Sequence, residues 1–182
     1  MIHLVFNRPT GKLKVFEDDG SLWDVLDAGG DAWGDGDLAD GPYGLDWPCP
    51  PGHYLLERPQ AIAPPSAAEG WWQIPVADLS SATAESLVEA GRASRDGANL
   101  IVGGVSQPLG QLAQFGRAAI MVHGGGSNDP DPLADFQPLC KTLGCTRLHN
   151  ADMARVVAHL SPLFDDNTMV YTIAGAPLSL NC

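Results

Sequence analysis

A mostly β domain, a sandwich or a single curved sheet with a few short helices, is expected from this chain on three observations. The first residues write three short apolar runs separated by turn residues. Further strand-like runs recur through the chain up to Thr168–Ile173. Only two segments carry apolar residues at helical spacing.

Taken in order, Ile2–Phe6 reads as a strand, Asn7-Arg8-Pro9-Thr10-Gly11 as a turn, and Lys12–Phe16 as a second strand with polar and apolar residues alternating. Glu17-Asp18-Asp19-Gly20 turns the chain into Ser21–Ala28, a third run. From Asp24 to Asp46 there are seven aspartates set among glycines. Their spacing lacks the alternate ligands and closing glutamate of a calcium loop, so a solvated loop is expected and no metal site. Pro48–Gly52 then turns into a strand through Leu56, with His53 as a strand residue facing solvent or a partner strand. Pro59–Gly70, rich in Pro and Ala, reads as a loop and is followed by Trp71–Val76, whose paired tryptophans are expected in the core. Ala84, Leu87, Val88 and Gly91 mark a helix within Ser80–Arg92, and Met153, Val156, Val157 and Leu160 another over Ala151–Leu160, with His159 on its polar side. Asp152 would sit near the positive end of that second helix. Thr168–Ile173 is the last strand.

At 182 residues the chain suits one domain, 1–182, with room for a sizeable core. Apolar residues make up 45% and charged ones 18%, a soluble globular balance. The 22 acidic against 10 basic residues give a net charge of −12, with no basic stripe to displace counterions, so nucleic acid is not an expected partner. No run approaches the length of a membrane span, and the first residues lack the features of a secretory signal. The four cysteines, Cys49, Cys140, Cys145 and Cys182, make no Cys-x-x-Cys pair, which excludes the usual zinc patterns. No cofactor is implied.

Chemistry is concentrated between Ala119 and Asp152. The apolar run Ala118–Val122 ends on His123-Gly124-Gly125-Gly126, and roughly twenty positions further on comes Thr142-Leu143-Gly144-Cys145-Thr146-Arg147. A thiol is only a few per cent ionised at neutral pH, so a cysteine nucleophile needs an imidazole to take its proton. His123 supplies one. The glycines let backbone approach a substrate, and the N–H groups of Gly144 and Cys145 are placed to meet a developing oxyanion. Arg147, two residues on, offers a fork suited to a substrate carboxylate. Cys145 is expected as a thiol in the active form, with Cys140 as a packing thiol, since a Cys140–Cys145 disulfide would block the nucleophile.

A strand ending in His-Gly, a Pro- and Gly-containing spacer, and Thr142-x-Gly144-Cys145-x-Arg147-Leu148-x-Asn150-x-Asp152 together resemble the L,D-transpeptidase (YkuD-type) domain of bacterial cell-wall enzymes. The opening meander and the Pro-x-Gly-x-Tyr element at 50–54 are similar to that domain too. The resemblance implies Cys145 as the acylated nucleophile, His123 as its base, and Gly144 as part of the catalytic turn. It also implies that the carbonyl of Gly124 orients the histidine in place of an acidic third member, and that Thr142, Gly124, Arg147 and Asn150 line the substrate pocket. Leu143 stands where the family commonly has a second histidine. Segment 59–115 fits the family outline poorly and is expected as an insertion or cap over the cleft.

By the same resemblance the substrate is a peptidoglycan stem peptide. Cys145 would release its terminal D-residue and pass the acyl group to a second stem, a free D-amino acid or water, in the periplasm or cell wall. A chain without its own export signal would reach that compartment through a secretion system or phage lysis, with an immunity or delivery protein as a further partner. Two alternatives stand beside housekeeping acyl transfer: an antibacterial toxin or lysis protein using the same site, and an inactive wall-binding or structural module that keeps the fold alone.

Overall fold

The computed structural model of the chain describes residues 1–29, 52–77, 81–102, 104–110, 120–126, 129–139, 142 and 145–174. Cys49, Cys140, Leu143, Gly144, Cys182 and the aspartates from Asp31 to Asp46 lie outside them.

The fold is mostly β, built on one curved sheet. Its strands are β1 (Ile2–Asn7), β2 (Lys12–Phe16), β3 (Leu22–Gly29), β4 (Gly52–Leu56), β5 (Gln60–Ser66), β6 (Gly70–Ala77), β10 (Met121–His123), β11 (Thr146–Leu148) and β12 (Met169–Ala174). Their order is β10-β11-β3-β2-β1-β12-β4-β6-β5, and β10 also pairs with β6, which closes the sheet on itself and leaves β5 as an appended edge. The opening meander is β1-β2-β3, antiparallel throughout. The last strand, β12, returns to lie parallel beside β1, with Leu4 opposite Tyr171.

Alternation decides which face is buried. Ile2, Leu4 and Phe6 of β1, Leu13 and Val15 of β2, Leu26 and Ala28 of β3, Ile74 and Val76 of β6, and Met169, Tyr171 and Ile173 of β12 share one core. Helix α2 (Asn150–Leu160) packs Met153, Val156, Val157 and Leu160 into it. Each such side chain contributes about 1.5–3 kcal/mol relative to exposure, so the core fixes the strand register.

On the opposite face, Leu55 and Val170 meet a smaller cluster formed with Ala84, Leu100 and Val102. This layer holds helix α1 (Ser81–Glu89) and a separate sheet of β7 (Ser94–Asp96), β8 (Asn99–Val102) and β9 (Val105–Pro108). Segment 59–115, expected as an insertion or cap, supplies this layer and also part of the main sheet. β5 and β6 are members of the main sheet, β6 sits between β4, β5 and β10, and Ile74 is fully buried in the main core. Pro64 and Pro65 hide β5 from a periodicity reading because proline disrupts strand patterning, and they fall where the β5–β6 register shifts.

Two smaller expectations also change. Trp72 packs against the core, but Trp71 is 48% exposed, as alternation requires once β6 is a strand. His159 is half-buried rather than a plain surface residue: its ring lies flat on Trp23, with centroids 4.0 Å apart, and it contacts Glu17 at 2.9 Å.

Candidate active site

Strands β10 and β11 run parallel, with Val122 opposite Thr146 and His123 opposite Arg147. Thr146 turns inward, where its hydroxyl meets that of Tyr171. The neighbouring side chains at His123 and Arg147 therefore share the other face, and Cys145 directly precedes β11. Gln73 of β6 stands opposite His123 on the other side of β10. Cys145 is half-buried and its side chain is a thiol.

His123 is held in one tautomer by its own loop. Its Nδ1 lies 2.5 Å from the carbonyl oxygen of Gly124, and a carbonyl only accepts, so Nδ1 carries the proton and Nε2 keeps its lone pair. Burial pushes the imidazole pKa down to about 4. The Gly124 hydrogen bond opposes that shift, the Arg147 charge adds to it, and Glu69 opposes it. At neutral pH the ring is uncharged and its Nε2 is a proton acceptor.

The glycines after His123 are demanded by close packing. Gly124 donates its N–H to the carbonyl of Glu69 at 3.1 Å and Gly126 to that of Ala67 at 2.7 Å, so the β5–β6 turn lies against the His-Gly-Gly-Gly loop. A Cβ at Gly124 would run into Oδ1 of Asn150, and one at Gly125, which has φ +65°, into the backbone of Glu69 and Gly70.

Asn150 spends its side-chain amide on the loop that follows His123. Its Oδ1 accepts from the N–H of Gly125 at 2.9 Å, and its Nδ2 donates to the carbonyls of Pro132 and Ala134 at 3.0 and 2.7 Å. Both ends of the amide are thus used by the loop that follows His123. Gln137, which sequence reasoning missed, completes the arrangement. Buried, it donates from Nε2 to the carbonyls of Leu148 (2.8 Å) and Gly125 (3.3 Å), and its Oε1 accepts from the N–H of Asn150 (2.9 Å). Ala151 donates to the carbonyl of Asp135, so loop 134–137 satisfies the first N–H groups of α2, whose preceding residue, His149, gives no side-chain cap. A glutamine inside a proline-containing spacer carries no sequence signal for such a role.

Thr142 is buried, and its hydroxyl donates to the carbonyl of Cys145 at 2.5 Å, tying it to the residue that leads into β11. Arg147 is buried beside Asp129, with Nη1 3.9 Å from Oδ2. Asp129 is a second residue that the sequence did not mark. Among the described residues no group of His, Cys, Asp and Glu has the makings of a metal site, and no helix is long and apolar enough to cross a membrane.

With this geometry in hand, comparison with solved structures finds a helical cell shape determining protein, Pgp2, from Campylobacter jejuni. It aligns over 97% of this chain and 48% of its own, with a TM-score of 0.51 and 16% identity. Pgp2 shares this fold. Bd1075 of Bdellovibrio bacteriovorus aligns over 95% of this chain and 47% of its own (TM-score 0.49, 14% identity), and an L,D-transpeptidase of Xylanimonas cellulosilytica over 95% and 60% (TM-score 0.40, 14% identity). The chain spans about half the length of the Pgp2 structure, and at 16% identity the likeness is one of architecture. No family model matches the chain, and no curated protein matches it.

Proposed function

We propose that this chain performs cysteine-dependent acyl transfer on peptidoglycan stem peptides, in the periplasm or cell wall, with Cys145 as nucleophile and His123 as base. The observation that carries this reading is the single tautomer of His123. Its Nδ1–H is committed to the Gly124 carbonyl 2.5 Å away, which leaves Nε2 as acceptor on β10, the strand beside the one that Cys145 leads into. The resemblance of the Cys145 segment to L,D-transpeptidases and the shared fold with a cell shape determining protein support the choice of substrate.

In the first step Cys145 Sγ attacks the carbonyl carbon before the terminal D-residue, and its proton passes to His123 Nε2. The proton then goes to the departing amine, the C–N bond breaks, and a thioester remains. An amine or water attacks the thioester, gives up a proton by the same route, and restores the thiol. With its pKa pushed down to about 4 by burial, the His123 imidazole is uncharged before reaction, so proton transfer to it accompanies S–C bond formation. The Arg147 charge, which disfavours imidazolium, favours the anionic sulfur and the tetrahedral intermediate. The N–H groups of Gly144 and Cys145 serve as the oxyanion donors in this scheme, and the Thr142 hydroxyl holds the Cys145 backbone through its carbonyl.

The test is mass analysis of disaccharide tetrapeptides incubated with the protein, with and without a free D-amino acid. Loss or exchange of the terminal residue is expected, together with a carbapenem adduct on Cys145 by intact mass. Both should vanish in Cys145→Ala, and unchanged turnover by that variant would overturn the mechanism.

A further inference from the structure

The Glu69 carboxylate is felt at the His123 imidazole, yet acyl transfer through Cys145 and His123 gives it no part. Three hydrogen bonds fix where it sits. The Glu69 carbonyl accepts the N–H of Gly124 at 3.1 Å, and the Gly124 carbonyl accepts from His123 Nδ1, so Glu69 and the base are joined through one glycine. The Glu69 N–H donates to Ser66 Oγ at 2.9 Å, and the Ser66 hydroxyl donates in turn to Glu69 Oε2. A serine hydroxyl has one proton and two lone pairs, so it makes both bonds at once and pins the side chain to its own turn. Among the described residues, neither a further hydrogen bond nor an ion pair reaches this carboxylate. The residue is half-buried, and Oε1 is not closed off from solvent. An oriented carboxylate beside a proton acceptor, with no cation of the protein to neutralise it, favours a cation from solution at that spot.

We infer that Glu69 selects the acyl acceptor: its Oε1 receives the ammonium of an incoming primary amine and so favours aminolysis of the Cys145 thioester over hydrolysis. The thioester itself rests on the acyl-transfer reading; the amine contact does not. With a pKa of about 8, an α-amine is mostly ammonium at neutral pH, and only its neutral form attacks carbon. Overall, R–NH3+ and the thioester give an amide, the Cys145 thiol and one proton. The N–C bond forms and the C–S bond breaks; one N–H proton reaches sulfur through His123, and the surplus one leaves to solvent from the ammonium held at Oε1. Water is uncharged and gains nothing from that contact. The same carboxylate favours the His123 imidazolium that relays the proton, against the opposing charge of Arg147. Glu69 is thereby assigned as a specificity residue of the second half-reaction.

The test compares Glu69→Gln with the parent protein, each acylated by a disaccharide tetrapeptide and then offered D-alaninamide, which is cationic, hydroxylamine, which is neutral at pH 7, or water alone. Glutamine keeps an acceptor for the Ser66 hydroxyl and leaves the backbone carbonyl on Gly124. D-Alaninamide should lose about 10-fold in kcat/KM, mostly through KM, the worth of one charge-assisted hydrogen bond. Hydroxylamine and hydrolysis should stay within about 2-fold. An equal loss with hydroxylamine, or an unchanged rate with D-alaninamide, would each overturn the assignment. A second arm needs neither a thioester nor a change at Glu69. Cys145→Ala is titrated with D-alaninamide and with D-lactamide, its neutral hydroxyl counterpart, and the Gly124 N–H resonance reports binding. D-Alaninamide should bind saturably and about 10-fold more tightly. Equal affinities, or no saturable shift, overturn the assignment as well. Retained D-alaninamide binding in a protein that forms no acyl-enzyme fails the acyl-transfer reading and leaves the amine site standing.

Discussion

Protonation of His123 should destabilise the folded protein by an amount that can be worked out in advance. The imidazole has an ordinary pKa near 6.5 when unfolded and about 4 when folded, because burial disfavours the cation. Between those values the unfolded chain binds more protons, so stability rises with pH through this window and is lost as pH falls from about 6.5 towards 4. The full separation of the two pKa values corresponds to about 3 kcal/mol, of which about 2.5 kcal/mol is already lost at pH 4.5. Urea unfolding of wild type and His123→Asn at pH 7.5 and 4.5 isolates this contribution, because other titrating groups are common to both proteins and cancel in the double difference. The asparagine variant should show the smaller acid loss, by about 2 kcal/mol or more. Acid sensitivities that agree within about 0.5 kcal/mol would refute the placement of a neutral, buried imidazole.

Three other outcomes follow from the same geometry. Asn150→Ala strands the N–H of Gly125 and the carbonyls of Pro132 and Ala134, and should cost about 2–4 kcal/mol in denaturant unfolding as well as turnover, because the loop after His123 loses its hold. Arg147→Lys should reduce kcat/KM for carboxylate-bearing substrates by the equivalent of about 1–3 kcal/mol, since lysine keeps the charge but not the fork; an unchanged value removes Arg147 from the reaction. Gln107, fully buried in β9 with neither amide atom hydrogen-bonded, predicts a gain: Gln107→Met should raise stability by about 1–2 kcal/mol by replacing two unsatisfied polar atoms with a thioether of similar length. A loss of stability there would mean that the amide has a donor or acceptor after all.

Local chemistry sufficed for much of the fold. The alternation in Ile2–Phe6 and Lys12–Phe16, the turn residues between them, and the spacing of Met153, Val156, Val157 and Leu160 depend only on neighbours a few positions away, and the corresponding strands and helix stand where those patterns put them. His123 and Cys145 stand out as candidates in the sequence, because one precedes three glycines and the other follows Gly144 and precedes Arg147 by two residues. What periodicity does not carry is which strand meets which. The closure of β10 on β6, which puts Gln73 opposite His123 and makes 70–77 part of the sheet, is a pairing across some fifty residues, and its register is set by the shared core. Proline-containing β5 and the short strands β7 to β9 gave too little alternation to be seen.

Polar roles inside the fold were the least readable. Asn150 stands in a motif that suggests substrate contact, but its amide meets Gly125, Pro132 and Ala134, partners that only the folded loop supplies. Gln137 and Asp129 had no local pattern at all. A buried polar side chain is defined by the donors and acceptors that tertiary structure brings to it, whereas an apolar one needs only to be out of water. Sequence alone therefore determined the opening meander, the last strand, the helices and the choice of two candidate reacting residues, and the tertiary structure decided the remaining strands, the tautomer of His123, the latch on its loop and the pairing of Asp129 with Arg147.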